Sequence, residues 1–153
     1  MNMLDRIDRR ILAALQADGS LSQTALSERV GASAASCWRR VRALEERGLL
    51  GRTVRLVDQQ AIGLGVTVLC QLRLRNHLPA TTESFEALLE ARDEILDCYA
   101  ISGDWDYLLR VVAPTILDYE RFLRNVLLAD QSVGAAGSIF VLSTRKETTA
   151  LPV

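Results

Sequence analysis

Apolar residues recur every three or four positions in the first part of the chain and at every second position further on. The first spacing is typical of a helix with one buried face, and the second of a strand with one buried face. The change falls between Leu49 and Val66. The pattern predicts a helical domain at residues 1–50, a linker strand and turn at 51–65, and a mixed domain at 66–153.

Three helices are predicted in the N-terminal domain. The first begins near Asp5 and ends where Gly19 is expected to form a left-handed C-cap. Ser22 is placed to cap a short second helix that Gly31 ends, and Ser33 to cap the third. Two short helices joined by a tight turn that contains glycine predict a winged-type helix-turn-helix domain.

The third helix, predicted over 34–47, combines small residues in its first turn with arginines one turn later. Cys37, Val41 and Leu44 form its inward stripe, so the opposite face is left to solvent. Small side chains allow close approach to a DNA major groove, and arginines reach phosphates or guanine edges. The residues predicted to contact DNA are Ser33, Ala35, Ser36, Trp38, Arg39 and Arg42. The alternative is that the arginines, Arg40 included, form only the solvated face of a three-helix bundle.

The C-terminal domain is predicted to follow the order β-α-β-β-α-β. The strands are expected at 66–75, 95–101, 107–112 and 138–143, with helices after Pro79 and from Thr115. The inward stripe of the last helix is predicted to be Ile116, Tyr119, Leu123 and Val126. This order is that of a ferredoxin-like fold with helices on one face of the sheet, so the fold class is α+β. The uncovered face predicts a dimer or a larger assembly.

Charge is distributed unequally between the two halves of the chain. Residues 1–55 contain ten arginines and six acidic residues, a net charge of +4. Residues 56–153 contain eight basic and thirteen acidic residues, a net charge of −5. This asymmetry is typical of a nucleic-acid reader joined to another module, and it favours double-stranded DNA as the partner of the first half.

The segment between the second and third predicted strands contains a glycine followed by two acidic residues. Gly103 permits a positive φ and leaves an N–H group that a ligand carboxylate could approach, while Asp104 and Asp106 suit a ligand ammonium group. Tyr107 follows directly and completes the predicted ligand-binding set, although its alternation with apolar residues also fits a core position. The alternative is an ordinary hairpin turn with solvated acids.

Other classes of function have little support in the sequence. It contains no Ser-His-Asp set, metal-ligand cluster or phosphate-binding glycine loop, so neither catalysis nor a cofactor is expected. The single histidine, His77, is expected at the surface. Three cysteines without CxxC spacing, no apolar run of membrane-spanning length and no N-terminal secretory signal favour a cytoplasmic protein.

Several segments in order resemble the Lrp/AsnC (leucine-responsive, feast/famine) family of transcriptional regulators. The matching stretches lie at residues 4–12, 26–31, 37–41, 103–109 and 146–152. Two positions depart from the family pattern, because Trp105 stands where tyrosine is usual and Ala34 or Ala35 where proline is frequent. The first departure concerns the shape of the ligand pocket, and the second the entry of the third helix.

The resemblance implies a homodimer that assembles into tetramers or octamers and binds an amino-acid effector near the Gly103 turn, between dimers. The expected function is that of a sequence-specific regulator whose assembly or DNA affinity responds to this effector. Two alternatives remain open. One is an enzyme similar to the sirohaem decarboxylases, which the single histidine and the arginine-bearing third helix disfavour. The other is a ligand-tuned architectural protein that binds DNA with little sequence preference.

Overall fold

The computed structural model describes residues 4–153 of the chain. These residues divide into two compact units. One contains the described residues up to Leu56 together with Lys146–Val153, and the other is Val57–Arg145. The C-terminal segment 146–153 thus groups with the N-terminal helices, whereas the sequence pattern placed it with the second domain.

Three helices form the first unit: α1 spans Arg6–Ala17, α2 spans Gln23–Val30 and α3 spans Ala34–Glu46. Each begins at a side-chain oxygen that accepts hydrogen bonds from backbone N–H groups in the first turn, supplied by Asp5, Ser22 and Ser33. Gly31 ends α2 in the left-handed conformation, with a φ of 69°. The helix-turn-helix is therefore confirmed.

The end of α1 differs from the prediction. Asp18, and not Gly19, is the C-cap, and it is extended. The Asp18 carboxylate accepts hydrogen bonds from the N–H of Ser20 at 2.9 Å and from its hydroxyl at 2.6 Å. This local turn directs the chain out of the helix, so the left-handed cap predicted at Gly19 is wrong.

Apolar side chains from all three helices form the core of the first unit. Its buried members are Ile11, Leu12, Ala14, Leu26, Val30, Cys37 and Leu44. The C-terminal segment is attached to this unit through Gln16, whose amide donates to the carbonyl oxygen of Leu151 and accepts from its N–H, at 3.1 and 2.6 Å. Two opposed hydrogen bonds between a side-chain amide and one peptide unit fix the segment against α1.

The second unit is a four-stranded antiparallel sheet with two helices. The strands are β1 at Val66–Leu74, β2 at Ile95–Ala100, β3 at Tyr107–Ala113 and β4 at Val133–Phe140. Helix α4 spans Pro79–Glu90, and α5 spans Ile116–Phe122 and continues in a π-helical turn, Leu123–Leu127. The strand order β2-β3-β1-β4 confirms the ferredoxin-like arrangement.

One face of the sheet carries the core of the second unit. Val68, Cys70, Leu72 and Leu74 alternate along β1 and pack with Phe85 and Leu88 of α4 and Tyr119 and Phe122 of α5. Residues of the opposite parity lie on the other face, where Tyr99 and Ile139 are about half exposed. The predicted division into a helix-covered face and an open face is therefore present in this chain.

The last helix follows its predicted inward stripe only in part. Tyr119 is buried as expected, but Ile116 is exposed and Phe122 and Leu127 are buried. A π-helical turn uses more residues per turn than an α-helix. The turn therefore brings Leu127 into the core, while the predicted Leu123 and Val126 stay partly buried against it.

The last strand begins five residues before its predicted start, at Val133 rather than Ser138. Its first half contains glycines and alanines, which have weak β-propensity. Their small size is needed here, because a Cβ added at Gly134 would lie 3.0 Å from the carbonyl oxygen of Leu74. The linker strand predicted within 51–65 is also wrong, because no residue there pairs in a ladder. Strand-forming composition supplies propensity but no hydrogen-bonding partner.

Candidate DNA-binding and ligand-binding sites

The first turn of α3 is built from small residues. The hydroxyl of Ser33 accepts a hydrogen bond from the N–H of Ser36 at 3.3 Å, which starts the helix at Ala34. Ala35 is exposed and Ser36 is half-buried. A flat start of this kind lets the helix backbone approach a surface closely.

The outward face one turn later is basic and aromatic. Arg39 and Arg42 are exposed, and Trp38 is 55% exposed. The guanidinium carbon of Arg42 lies 5.8 Å from the centre of the Trp38 ring, and Arg42 Nη1 lies 3.7 Å from a carboxylate oxygen of Glu45. Trp38, Arg39 and Arg42 line a groove of about 350 Å³ together with Ala43 and Glu46. The structure thus brings all six predicted DNA-contact residues to the outward part of one helix and its cap.

Arg40 differs from its two neighbouring arginines. It is half-buried, and its Nη1 lies 2.6 Å from carboxylate oxygens of both Asp5 and Asp8 at the start of α1. The backbone hydrogen bond from Asp8 and the Arg40 guanidinium lower the pKa of Asp5. The position of Arg40, about one helical turn after the inward Cys37, could have indicated that its side chain borders the buried face, although not which residues it contacts.

The turn between β2 and β3 offers free backbone donors. Gly103 has a φ of 112°, which side-chain-bearing residues rarely adopt. The N–H groups of residues 102–105 donate no hydrogen bond to any residue that the structure describes. The carbonyl oxygen of Asp104 accepts from Nε and Nη2 of Arg73, at 2.9 and 2.5 Å, which ties the turn to β1. The Asp104 side chain is exposed, and its carboxylate accepts no hydrogen bond from any residue that the structure describes.

The guanidinium of Arg73 also stacks on an aromatic ring at this turn. Its carbon lies 5.2 Å from the centre of the Trp105 ring. A Cβ added at Gly137 in β4 would lie 3.3 Å from the same ring, so Trp105 covers the backbone of that strand. No role was predicted for Arg73 from the sequence. The alternation of residues along β1 places it on the outward face of the sheet, which could have indicated a role.

Asp106 is occupied by interactions within the chain. One carboxylate oxygen accepts from the N–H of Leu74 at 2.8 Å, and the other lies 3.0 Å from Nε2 of the exposed His77. Partial burial acts to raise the pKa of Asp106, but the hydrogen bonds from His77 and Leu74 outweigh it and lower the pKa. Asp106 is therefore engaged at the end of β1, whereas the sequence predicted an acceptor free for a ligand ammonium group.

The aromatic residues of the second unit differ in the face of the sheet on which they lie. The ring of Tyr107 packs on Phe85 of α4, with ring centres 4.7 Å apart. Phe140 contacts Tyr119 edge-to-face at 5.5 Å, while Tyr99 is 56% exposed. Tyr107 therefore borders the predicted ligand site while its ring is held in the core of the second unit.

Three further features bear on metal ions, on membranes and on other cavities. Among residues 4–153, no group of three or more His, Cys, Asp or Glu side chains is arranged to hold a metal ion. None of the helices in this range combines the length and apolar content that a membrane-spanning helix needs. A cavity of about 250 Å³ opens at the far end of the sheet, between Leu64, Pro114 and Phe122.

Known proteins resemble both units. A winged helix-turn-helix DNA-binding domain matches residues 4–50, and the Lrp/AsnC ligand binding domain matches residues 67–151. The DNA-binding transcriptional activator DecR of Escherichia coli K12 is 34% identical over 151 residues, which cover 99% of each protein. The glutamate uptake regulatory protein of Zymomonas mobilis is 35% identical over 150 residues, covering 98% of this chain and 91% of that protein.

A solved structure has the same fold throughout. The crystal structure of a transcriptional regulator from Neisseria meningitidis in complex with L-Met has a TM-score of 0.94 and 34% identity, and covers 98% of this chain and 97% of that one. Together with the helix-turn-helix, these matches define a DNA-binding transcriptional regulator with a ligand-binding domain. The chain belongs to the Lrp/AsnC family. The expectation that it is not an enzyme stays a prediction.

Proposed function

We propose that the chain is an operator-binding regulator that reads DNA with the outward face of α3 and responds to an amino acid. The observation that carries the DNA contact is the succession of an exposed Ala35, an exposed Trp38 and the exposed Arg39 and Arg42. Ser33 and Ser36 add hydroxyl groups at the helix start, where phosphates are favourably bound. The net charge of +4 over residues 1–55 supports the same partner.

An amino acid is the effector that the turn between β2 and β3 fits. The free N–H groups at Gly103 and Asp104 suit its carboxylate, and the exposed Asp104 carboxylate suits its ammonium group. Asp106 acts by fixing the turn to the end of β1, and Tyr107 by shaping the adjoining wall. The L-Met bound to the Neisseria meningitidis regulator makes L-methionine the first compound to test.

The active form is proposed to be a homodimer that assembles into tetramers or octamers. The open sheet face exposes Tyr99 and Ile139, and a second copy would cover it. A two-fold dimer also presents two α3 helices to half-sites about 34–36 Å apart or at multiples of that spacing. Light scattering at micromolar concentration is expected to give at least the mass of a dimer, and a monomeric mass would refute this part.

Two measurements test the proposed function. In a thermal-shift screen of the twenty amino acids, an effector at 100 times its dissociation constant should add about 2.7 kcal/mol to the free energy of unfolding. Fluorescence anisotropy with a duplex selected from a random library, with and without competitor DNA, then measures sequence preference. Equal affinity for unrelated duplexes would indicate an architectural DNA-binding protein instead.

A further inference from the structure

Arg40 lies on the helix proposed to read DNA but faces away from the proposed DNA surface. It follows the buried Cys37 by three positions and precedes the buried Leu44 by four, so it borders the inward stripe of α3. Its side chain is 28% exposed, compared with 62% for Arg42. The direction of its side chain therefore separates it from the exposed arginines.

The partners of Arg40 are the residues that start α1. Asp5 is the N-cap and accepts from the N–H groups of Ile7 and Asp8, each at 2.8 Å. Asp8 is 8% exposed, and its second carboxylate oxygen accepts from the N–H of Asp5 at 3.3 Å. Arg40 Nη1 reaches a further oxygen of each carboxylate at 2.6 Å. One guanidinium group thus joins α3 to the capping box of α1.

The same geometry makes Arg40 a poor candidate for a phosphate contact. Its charge lies between two carboxylates, which raise the pKa of Arg40 by accepting its hydrogen bonds, Asp8 with the larger effect and Asp5 with the smaller. Its Nε is buried and makes no hydrogen bond within residues 4–153. A DNA phosphate would therefore have to compete with two carboxylates already in contact.

The orientation of α3 needs a directional contact. Only Cys37 and Leu44 of this helix are fully buried, and apolar packing has no preferred direction. A helix of 13 residues is about 20 Å long, so a tilt of about 5° would move one end by roughly 1.5–2 Å relative to the other. Such a shift is large compared with the tolerance of a bidentate arginine–base contact.

We infer that Arg40 is a positioning residue for DNA recognition, because it bridges Asp5 and Asp8 and so fixes α3 against the start of α1. The inference rests on the proposed function, namely that the outward face of α3 contacts DNA. Arg40 acts through the helix and contributes no phosphate contact of its own. Its removal therefore lowers DNA affinity without changing the number of counterions released.

The test compares Arg40→Ala, Arg40→Lys and Asp8→Asn in the full chain, with a duplex selected by the wild-type protein. Arg40→Ala should weaken DNA binding about tenfold while the slope of log affinity against log salt concentration stays unchanged. Asp8→Asn should also weaken binding, although it removes a negative charge. Glu28→Gln removes the same charge from an exposed position and should leave affinity unchanged or slightly higher.

A double variant further separates a positioning role of Arg40 from a direct phosphate contact. Asp8→Asn combined with Arg40→Ala should bind DNA no more weakly than Arg40→Ala alone, because both changes break the same bridge. Additive losses, or a salt slope shallower by about one unit after Arg40→Ala, would overturn the inference in favour of a phosphate contact. Tighter binding by Asp8→Asn would also overturn it.

Folding is monitored by far-ultraviolet circular dichroism for every variant. Should Arg40→Ala unfold, Arg40→Lys decides, because lysine keeps the charge for a phosphate but lacks the planar fork that serves two carboxylates. Arg40→Lys should lose affinity severalfold, and wild-type affinity would refute the bridge. If the Arg39→Ala/Arg42→Ala double variant keeps its DNA affinity, the proposal that the outward face of α3 contacts DNA fails. That outcome is distinguishable from failure of the Arg40 inference, which is measured with the Arg40 variants.

Discussion

The outward face of α3 and the turn at residues 102–106 were both identified from residue types and spacing, yet their side chains are used differently. On α3, Arg39 and Arg42 extend outward as the helical period requires. In the turn, Asp104 is exposed while Asp106, two residues later, is bonded to the N–H of Leu74 and to His77. The two acids look equivalent in the sequence and are not equivalent in the structure.

The difference follows from how direction is determined in each element. A helix fixes the direction of each side chain through its own backbone period, so one buried stripe defines the exposed face. In a turn, the direction depends on which backbone donors the neighbouring strands leave unpaired. Leu74 lies where the pairing of β1 with β4 shifts register, and its N–H is satisfied by Asp106. Local sequence does not contain that information.

The largest expected effect is on the α3 side of this comparison. Arg→Ala at Arg39 or Arg42 should cost about 1–3 kcal/mol of DNA-binding free energy if the arginine makes a bidentate base contact. Each lost phosphate contact should instead lower the salt slope by about one unit. Anisotropy titrations at several salt concentrations distinguish the two. The double variant Arg121→Ala/Arg124→Ala, which removes the same charge from the second unit, serves as the control.

Unchanged affinity and salt slope in a folded Arg39→Ala/Arg42→Ala protein would eliminate the α3 face as the DNA contact. The arginines would then be a solvated face, as in any helical bundle.

The two acids of the turn should respond differently to the same substitution. Asp104→Asn should reduce amino-acid affinity by about ten- to a hundredfold, because a hydrogen bond to a charged ligand group is worth about 1.5–3 kcal/mol. It should leave the free energy of unfolding within about 0.5 kcal/mol of wild type. Asp106→Asn should lower that free energy by about 1 kcal/mol, because the N–H of Leu74 loses its charged acceptor.

Calorimetric titration of the amino acid and urea unfolding of each variant measure these effects. Equal behaviour of the two variants in both experiments would remove the distinction between a ligand-facing acid and a structural acid.

The pH dependence of stability should test the structural role of Asp106. The pKa of Asp106 is lowered in the folded protein, so its contribution to stability is present above the unfolded value of about 3.8 and is lost as the pH falls further, through the folded pKa. Below about pH 4, the difference in unfolding free energy between wild type and Asp106→Asn should therefore shrink. Urea unfolding from pH 3 to 7 tests this, and a constant difference would contradict the assignment.

The smallest effect is expected at Trp38. Its ring lies beside Arg42, and an exposed cation–π contact contributes about 0.5–1 kcal/mol. Trp38→Ala should weaken DNA binding by roughly two- to fivefold if the ring only orients Arg42. In an Arg42→Ala background, the same substitution should then have no effect. A loss of equal size in both backgrounds would mean that Trp38 contacts DNA directly.

Much of the fold could be predicted because local signals and tertiary packing agree. Ser22, Ser33 and Thr115 cap helices where the sequence placed them, and β1 buries alternate residues as expected. The π-helical turn after Phe122 and the start of β4 at Val133 were missed. The π-helical turn interrupts the regular α-helical period. Gly134 in β4 is required because the backbone of β1 passes close to it.

The features of the candidate sites likewise differ in whether local sequence could predict them. The positions of the candidate DNA-contact residues on α3 were predictable, because every one of them lies at the helix start or on its outward face. The contacts of Arg73 and His77 with the turn at residues 102–106 were not predictable, because both residues are distant from Asp104 and Asp106 in sequence. The role of Arg40 was missed for the same reason: its partners lie in α1.

The coupling between the two regions is the central claim, and DNA affinity measured with and without an amino acid tests it most directly. Anisotropy titrations of the wild-type protein against its selected duplex are performed with L-methionine and with each amino acid that raises the unfolding temperature. At least one should change DNA affinity about 5- to 150-fold, the usual range of coupling between sites. The Asp104→Asn variant should match wild type without ligand and respond only at about ten- to a hundredfold higher ligand concentration. A wild-type DNA affinity that no amino acid changes, or a variant that responds at the wild-type concentration, would contradict the account.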